Sequence, residues 1–453
     1  MIRFFMALWL AKIIKLIYDI LGQHRTDMPG LLANKVCPDF LERIAKPRLI
    51  IAITGTNGKT TTSAIVNDFL NSQGLKTSFN NWGANCKAGY ALNFIRGVNI
   101  FNRPTVDCAV LEADELTLDS EMTKIIPQYI LVTNIAKDTL RRNGHPENIY
   151  NHIEHTFNLL GKRTIGILNA NDPISSALAK SSKRVYYEMN DCGLKPFDNS
   201  SKDIDLCPNC LEKITYKYRH YRQVGKYICP NCGFTTPKSK YLGEQIDLKN
   251  KFLFVNGFTY KLISDSIFHA FDQLCATALF LELGYKEEKI AEFFTRQRVT
   301  EIRETYKEYN NIKYYAYVAK SESGSAGSTV FEYVANEPSD KDVILFMNID
   351  IKDKHAPLET ISWIYETDYE FLNTPKIKKI IVPGSMRMHV MLRLLLAGIP
   401  REKIILTENE EEVPKYVDTE YIQSVYILND TTNVTRGKHL LDSIINYAKE
   451  KNK

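Results

Sequence analysis

Two clusters of residues in this chain have the types and spacing that do chemistry. The first is Gly55-Thr56-Asn57-Gly58-Lys59-Thr60-Thr61, which follows an apolar run and precedes a helical pattern. A glycine-rich turn between a strand and a helix aims backbone N–H groups and a helix N-terminus at one point, where they hold phosphate. In such a loop Lys59 neutralises the β/γ-phosphates and the Thr60 hydroxyl binds Mg²⁺. The loop therefore predicts ATP binding through residues 55–61, in a variant form, because Ile53 stands where the strict pattern has glycine. The second cluster is Cys207-Pro-Asn-Cys210 and Cys229-Pro-Asn-Cys232, with eighteen residues between the pairs. That spacing suits four thiolates around one Zn²⁺, and a closed shell of four leaves no position for water. The metal is expected to be structural.

A phosphate site needs acidic partners at the ends of neighbouring strands. Leu111-Glu112-Ala113-Asp114-Glu115 ends an apolar run, which makes Glu112 the first candidate for a Mg²⁺ ligand and Glu115 the second. Tyr216–Tyr227, inside the cysteine ribbon, mixes aromatic residues with moderate charge. The ribbon therefore reads as a stabilising insertion rather than a nucleic-acid reader.

The 453 residues suffice for two or three domains, and 44% hydrophobic with 25% charged residues is ordinary for a globular chain. Net charge is +5 with no block of lysine and arginine that would form a nucleic-acid tail. Nine cysteines, four of them in the ribbon, point to reduced thiols and a cytoplasmic setting.

Met1–Gln23 is strongly apolar, but Lys12, Lys15 and Asp19 interrupt it at helical spacing. Its longest uncharged run, Phe4–Ala11, is too short to span a bilayer, and no small-residue cleavage site follows. An amphipathic helix is expected, either packed on the domain behind it or in contact with a membrane surface or a lipid-linked substrate. Leu31–Ala45 is predicted as a second helix. From Leu49 onward apolar strands at 49–54, 108–112, 129–133, 164–169 and 184–187 alternate with helices, which argues for a parallel sheet covered on both faces. Phe252–Phe258 is predicted as a strand and Ser266–Leu283 as a helix. A second α/β unit follows a junction near Arg298–Asn311. The expected domains are an amphipathic helical segment at 1–48, an ATP-binding domain at 49–300 with the ribbon at 203–236, and a Rossmann-like domain at 301–453.

Several stretches together resemble the Mur ligases, in the MurT-type branch. They are Asp27-Met-Pro-Gly30, Gly55–Thr62, Asn80-Asn81-Trp-Gly-Ala-Asn85, Glu112-Ala-Asp-Glu115, Thr133-Asn134, Leu168-Asn-Ala-Asn-Asp-Pro173, the cysteine ribbon and Ser362-Trp-Ile-Tyr365. The resemblance implies an ATP-dependent carbon–nitrogen ligase working through an acyl phosphate. In that branch the acceptor is the α-carboxyl of D-glutamate in a lipid-linked peptidoglycan precursor, and ammonia comes from a GatD-type glutaminase subunit. Only 54 residues precede Gly55, fewer than a UDP-binding domain needs, and no cysteine lies in a glutaminase nucleophile turn. His269, in the helix after the ribbon, and Arg298 are further candidates for nucleotide contact, the alternative for His269 being a histidine satisfied within the fold.

The chain also departs from the family. Asp138-Thr-Leu-Arg-Arg142 stands where Met/Leu-Asp-Arg is usual, and His269-Ala-Phe-Asp272 replaces Asn-x-x-Asn. Before Ser362-Trp363 the Asp-Gly-Arg-Asp type run is missing; Asp353, His355 and Glu359 are nearby substitutes, with Asp353 and His355 the candidates for handling the amine. Lys320-Ser-Glu-Ser-Gly324 likewise replaces a Lys-Asn-Pro-Ala-Gly type segment. Two other readings stay open: a Mur-type ligase that attaches an amino acid or another amine to a different carboxylate, and a nucleotide-binding scaffold without turnover.

Overall fold

The computed structural model of the chain describes residues 1–22, 27–80, 85–137, 145–193, 205–264, 266–296, 304–319, 324–347, 362–430 and 433–451. The described residues fall into two compact units, the first within 1–136, 146–193 and 205–296, the second comprising 137, 145 and those from 304 to 451.

Three helices open the first unit: α1 (Ile2–Ile20), α2 (Met28–Val36) and α3 (Phe40–Arg43). The single helix expected over Leu31–Ala45 is thus two. Pro38 disfavours helical geometry in the residue before it, and Cys37 is extended at φ −134 and ψ 94. The chain then alternates through β1 (Leu49–Thr54), α4 (Lys59–Ser72), β2 (Thr77–Phe79), α5 (Lys87–Gly97), β3 (Cys108–Glu112), α6 (Leu118–Ile125), β4 (Tyr129–Val132), α7 (Pro146–Leu160), β5 (Ile165–Asn169), α8 (Pro173–Ser176) and β6 (Lys183–Met189). A two-stranded ribbon follows, β7 (Thr215–Tyr221) and β8 (Val224–Ile228). Then come β9 (Tyr241–Asp247), β10 (Phe252–Val255), β11 (Phe258–Lys261), α9 (Ile267–Glu282) and α10 (Glu287–Arg296).

The sheet order is β11-β10-β9-β6-β5-β4-β1-β3-β2, parallel from β2 to β9. Side chains alternate across it with period two. Ile50 and Ala52 face one core shared with α1, α3, α5, α6 and α7, whereas Ile51 and Ile53 face another shared with α4, α9 and α10. Phe69 of α4 stacks on Phe280 of α9 with centroids 3.8 Å apart; burying a ring of that size contributes about 1.5–3 kcal/mol.

The sheet is not wholly parallel. β10 pairs antiparallel with both β9 and β11. The strand expected over Phe252–Phe258 is a hairpin, because Asn256 and Gly257 both take positive φ, 46 and 86. That pair makes the two-residue turn whose twist matches antiparallel strands.

The second unit contains β12 (Glu304–Tyr309), β13 (Ile312–Val318), α11 (Gly324–Asn336), β14 (Lys341–Phe346), α12 (Ser362–Glu366), β15 (Ile377–Pro383), α13 (Arg387–Leu396), β16 (Ile404–Thr407), β17 (Ser424–Asn429) and α14 (Val434–Lys451). Its sheet runs β12-β13-β17-β14-β15-β16, parallel except for β12. The segment read from sequence as a junction, Arg298–Asn311, therefore holds an edge strand. Its turn uses Asn310 and Asn311, both left-handed.

Candidate active site

Strand β1 lies between β4, the start of one arm of the sheet, and β3, the start of the other. At such a reversal the loops leaving neighbouring strands diverge and open a crevice beyond their carboxyl ends. The Gly55–Lys59 turn leaves β1 at that point, Glu112 ends β3, and Thr133-Asn134 leave β4.

Two glycines of the turn are required by what surrounds them. Gly55 (φ 124) would carry a Cβ 2.3 Å from Thr133 Oγ1, and Gly58 (φ 85) one 2.0 Å from Asp272 Oδ1. Neither contact is possible, so the turn closes against β4 and α9 only with glycine. The segment after β4 then brackets the turn. Thr56 N donates to Asn134 O (2.8 Å), Thr133 Oγ1 to Asn57 O (2.6 Å), Asn134 Nδ2 to Asn57 O (3.1 Å) and Ala136 N to Thr56 Oγ1 (3.0 Å).

Lys59 opens α4 and is buried. Its Nζ donates to Gly55 O at 2.5 Å and to the Glu115 carboxylate, itself only 2% exposed. Thr60 and Thr61 follow, half-buried in the first turn of α4. Glu112 is 3% exposed, and its Oε2 has no hydrogen-bond partner. Asn80 fixes the Glu112 backbone from both sides, donating from Nδ2 to its carbonyl and accepting at Oδ1 from its N–H, each at 2.8 Å. A buried carboxylate oxygen left without a donor fits a cation ligand, and Thr60 is the hydroxyl nearest the lysine in sequence. Of the two acids singled out by sequence, Glu115 pairs with Lys59 while Glu112 keeps one oxygen without a hydrogen-bond donor.

Helix α9 brings His269 and Asp272 together on its first turns. His269 Nδ1 lies 2.8 Å from Ser264 Oγ, and Asp272 sits against Gly58. The start of α9 therefore faces the turn. Arg298, Asp353, His355 and Glu359 lie outside the described residues, as do Asp138–Arg142.

The four cysteines meet at one point, with their sulfur atoms all within 4.8 Å of one another. Cys207 Sγ is 3.5 Å from Cys232 Sγ, and Cys210 Sγ is 3.5 Å from Cys229 Sγ. Both knuckles close in the same way. Leu211 N donates to Cys207 O and Gly233 N to Cys229 O, with Leu211 and Gly233 left-handed. The donor set can serve a single thiophilic ion.

The far end of this ribbon reaches the segment that brackets the nucleotide turn, which sequence reading as a stabilising insertion did not anticipate. Gln223, at the tip between β7 and β8 and 3% exposed, donates from Nε2 to Ile135 O at 2.8 Å. Asp172 accepts from Ile135 N at 2.7 Å, so both sides of that residue are held. Burial outweighs the several hydrogen bonds to Asp172 and pushes its carboxyl up to about 6. Beside Gln223, Tyr221 packs on Phe268 and Phe271 of α9, with centroids 4.5 and 5.6 Å away. The tip thus touches both walls of the Gly55–Lys59 turn. Nothing in the spelling of residues 216–227 marks Gln223; only the folded hairpin places it.

Leaving the buried Ile135 carbonyl unpaired costs on the order of 1–3 kcal/mol. Gln223→Ala is therefore expected to lower the melting temperature by a few degrees and, by loosening the Thr133–Ala136 segment that brackets the turn, to weaken nucleotide binding about tenfold in isothermal titration calorimetry. Unchanged binding would mean that the ribbon tip does not brace the turn.

Residues 53–224 match the Mur ligase middle domain, and residues 325–434 match the MurT ligase C-terminal domain. The chain is 31% identical over 419 residues to the MurT subunit of lipid II isoglutaminyl synthase (glutamine-hydrolyzing) of Staphylococcus aureus strain COL, covering 91% of this chain and 92% of that one. It is 27% identical to the subunit of the same name from Streptococcus pneumoniae, covering 95% of each. Among solved structures, the pseudomurein peptide ligase type C of Methanothermus fervidus superposes with a TM-score of 0.65 at 19% identity, over 91% of this chain and 84% of that one. MurF of Thermotoga maritima, solved with ADP, gives 0.57 at 15% identity, over 93% and 85%. The fold, the crevice at the end of β1 and a relative matched across nine-tenths of both chains agree: this chain is a ligase that belongs to the Mur ligase family, in its MurT branch.

Proposed function

We propose that this chain amidates the α-carboxyl of D-glutamate in the stem peptide of a lipid-linked peptidoglycan precursor. ATP supplies the driving force and a GatD-type glutaminase subunit supplies ammonia, with the chain acting in the cytoplasm. The observation that carries this is the 31% identity, across 91% of the chain, to the MurT subunit of a lipid II isoglutaminyl synthase (glutamine-hydrolyzing). The geometry of the nucleotide turn supports it.

The substrate carboxylate attacks the γ-phosphorus of ATP, the bond to the bridging oxygen breaks and ADP leaves. Ammonia then attacks the carbonyl carbon of the acyl phosphate, the C–O bond breaks, phosphate departs with that electron pair and nitrogen gives up a proton. Residues 55–61 hold the phosphates through backbone N–H groups. The Lys59 ammonium, held by Glu115 and Gly55 O, follows the charge as it gathers on the transferring phosphoryl group. Thr60 and Glu112 would hold Mg²⁺, which would supply positive charge to offset the negative charge of the phosphates. Asp353, His355, His269 and Arg298 remain our candidates for the amine and the nucleotide.

The test is mass spectrometry of lipid II incubated with Mg-ATP and the purified chain, with ammonium or with a panel of amino acids. An ammonium-dependent product in which OH is replaced by NH₂, with phosphate released, is the expected result. An amino-acid adduct would instead make the chain a peptide-forming ligase.

We also propose that the cysteine cluster holds Zn²⁺. Tetrahedral Zn–S bonds of about 2.3 Å put sulfur atoms roughly 3.8 Å apart, comparable with the 3.5 Å pairs here. Metal analysis should return zinc from the wild type, and Cys229→Ser should lose it and melt at lower temperature. A chain that purifies without zinc yet melts unchanged after exposure to chelator would overturn the assignment.

A further inference from the structure

Helix α1 is apolar on two opposite sides. Phe4, Ala7, Leu8 and Ala11 form its inward stripe and are buried in the core shared with α3 and α5. Half a turn round the axis, Met6, Trp9, Ile13, Leu16, Ile17 and Ile20 repeat at the same three- and four-residue spacing. These six are 49–76% exposed, with Ile13 at 56% and Leu16 at 60%. A helix packed by one face on a domain ordinarily presents charge on the other. Here the charges lie on the flanks. Lys12 Nζ donates to Ile95 O and Val98 O, Lys15 pairs with Asp19, and Arg3 donates to Val36 O. Trp9 Nε1 bonds Ile100 O at 2.8 Å, which sets Phe101, 68% exposed, beside the outer stripe. An apolar surface of this extent marks a binding face.

We propose that this face docks on an anionic lipid surface, with α1 lying in the plane of the headgroups. Two observations favour lipid over a protein partner. Protein interfaces carry about one hydrogen bond per 100–200 Å². Of the six residues only Trp9 has a hydrogen-bonding group in its side chain, and that group is already engaged by Ile100 O. The charge also fits: residues 1–48 hold eight Lys and Arg against four Asp and Glu, so they contribute most of the +5 net charge of the chain. Cations flanking an apolar stripe are the arrangement that seats a helix at an anionic bilayer. No helix among the described residues is long and apolar enough to cross the bilayer, so the contact is with one leaflet. The inference deepens the proposed action on a lipid-linked acceptor and rests on that reading for its purpose, while its physics rests on the outer face of α1 and the positive charge of residues 1–48.

The test needs neither ATP nor acceptor, so it can fail or succeed independently of the amidation assay. The full-length chain is sedimented with vesicles of phosphatidylcholine alone and of phosphatidylcholine mixed with phosphatidylglycerol. It is expected to bind the mixed vesicles, and Ile13→Glu with Leu16→Glu should reduce that binding by more than about tenfold. Both positions are more than half exposed, so the melting temperature should hold. Three results would overturn the proposal. One is equal binding by the double variant; another is no binding by a chain that light scattering shows to be monomeric. The third is a dimer that the double variant converts to monomer, which would make a second copy the occupant.

Discussion

The site is organised around a buried cation. Lys59 is 8% exposed and Glu115 is 2% exposed, so the ammonium has lost most of its water. It is held in place by the Glu115 carboxylate and the Gly55 carbonyl. Taking one partner from a buried ion pair typically costs about 3–5 kcal/mol, because the other charge is left unpaired. That penalty fixes where β1 and β3 must end relative to each other, and the parallel register Ile53↔Glu112 meets the requirement. It also gives the pair a use: a bound phosphate chain offers the ammonium stronger anionic partners within reach of the same turn.

The rest of the first unit holds that turn still. Backbone phosphate binding works only if the N–H groups already converge, since ordering them on binding would consume affinity. The Thr133–Ala136 segment brackets the turn from β4, and Asp172 and Gln223 hold Ile135 from either side. The cysteine cluster at the far end of a hairpin therefore has a physical route to the nucleotide turn. Ion binding would order the knuckles, the knuckles order β7 and β8, and their tip bears on Ile135 and α9.

Much of this was legible in the sequence because it is local. Gly-Thr-Asn-Gly-Lys-Thr after an apolar strand specifies a turn whatever surrounds it, and the CxxC pairs specify knuckles. The alternating strands and helices gave the doubly covered sheet. What could not be read depends on pairs far apart in the chain. Which of Glu112 and Glu115 meets Lys59 is decided by the register of β3, and Gln223 gains its role only when the hairpin folds back on residue 135. The hairpins at Asn256-Gly257 and Asn310-Asn311 were local signals that went unused, since each carries the residues a left-handed two-residue turn favours. The outward stripe of α1 was written in the same spacing as the inward one, and only burial separates the two.

The most direct measurement is calorimetry of a non-hydrolysable Mg-ATP analogue against the wild type and Lys59→Met, a substitution that keeps the stem and deletes the charge. If Lys59 is the phosphate partner, affinity should fall by about a hundredfold or more, in keeping with the loss of a desolvated charge-assisted contact. Retention of wild-type affinity by a folded Lys59→Met chain would contradict the account, and the Lys59–Glu115 pair would then be a purely structural contact.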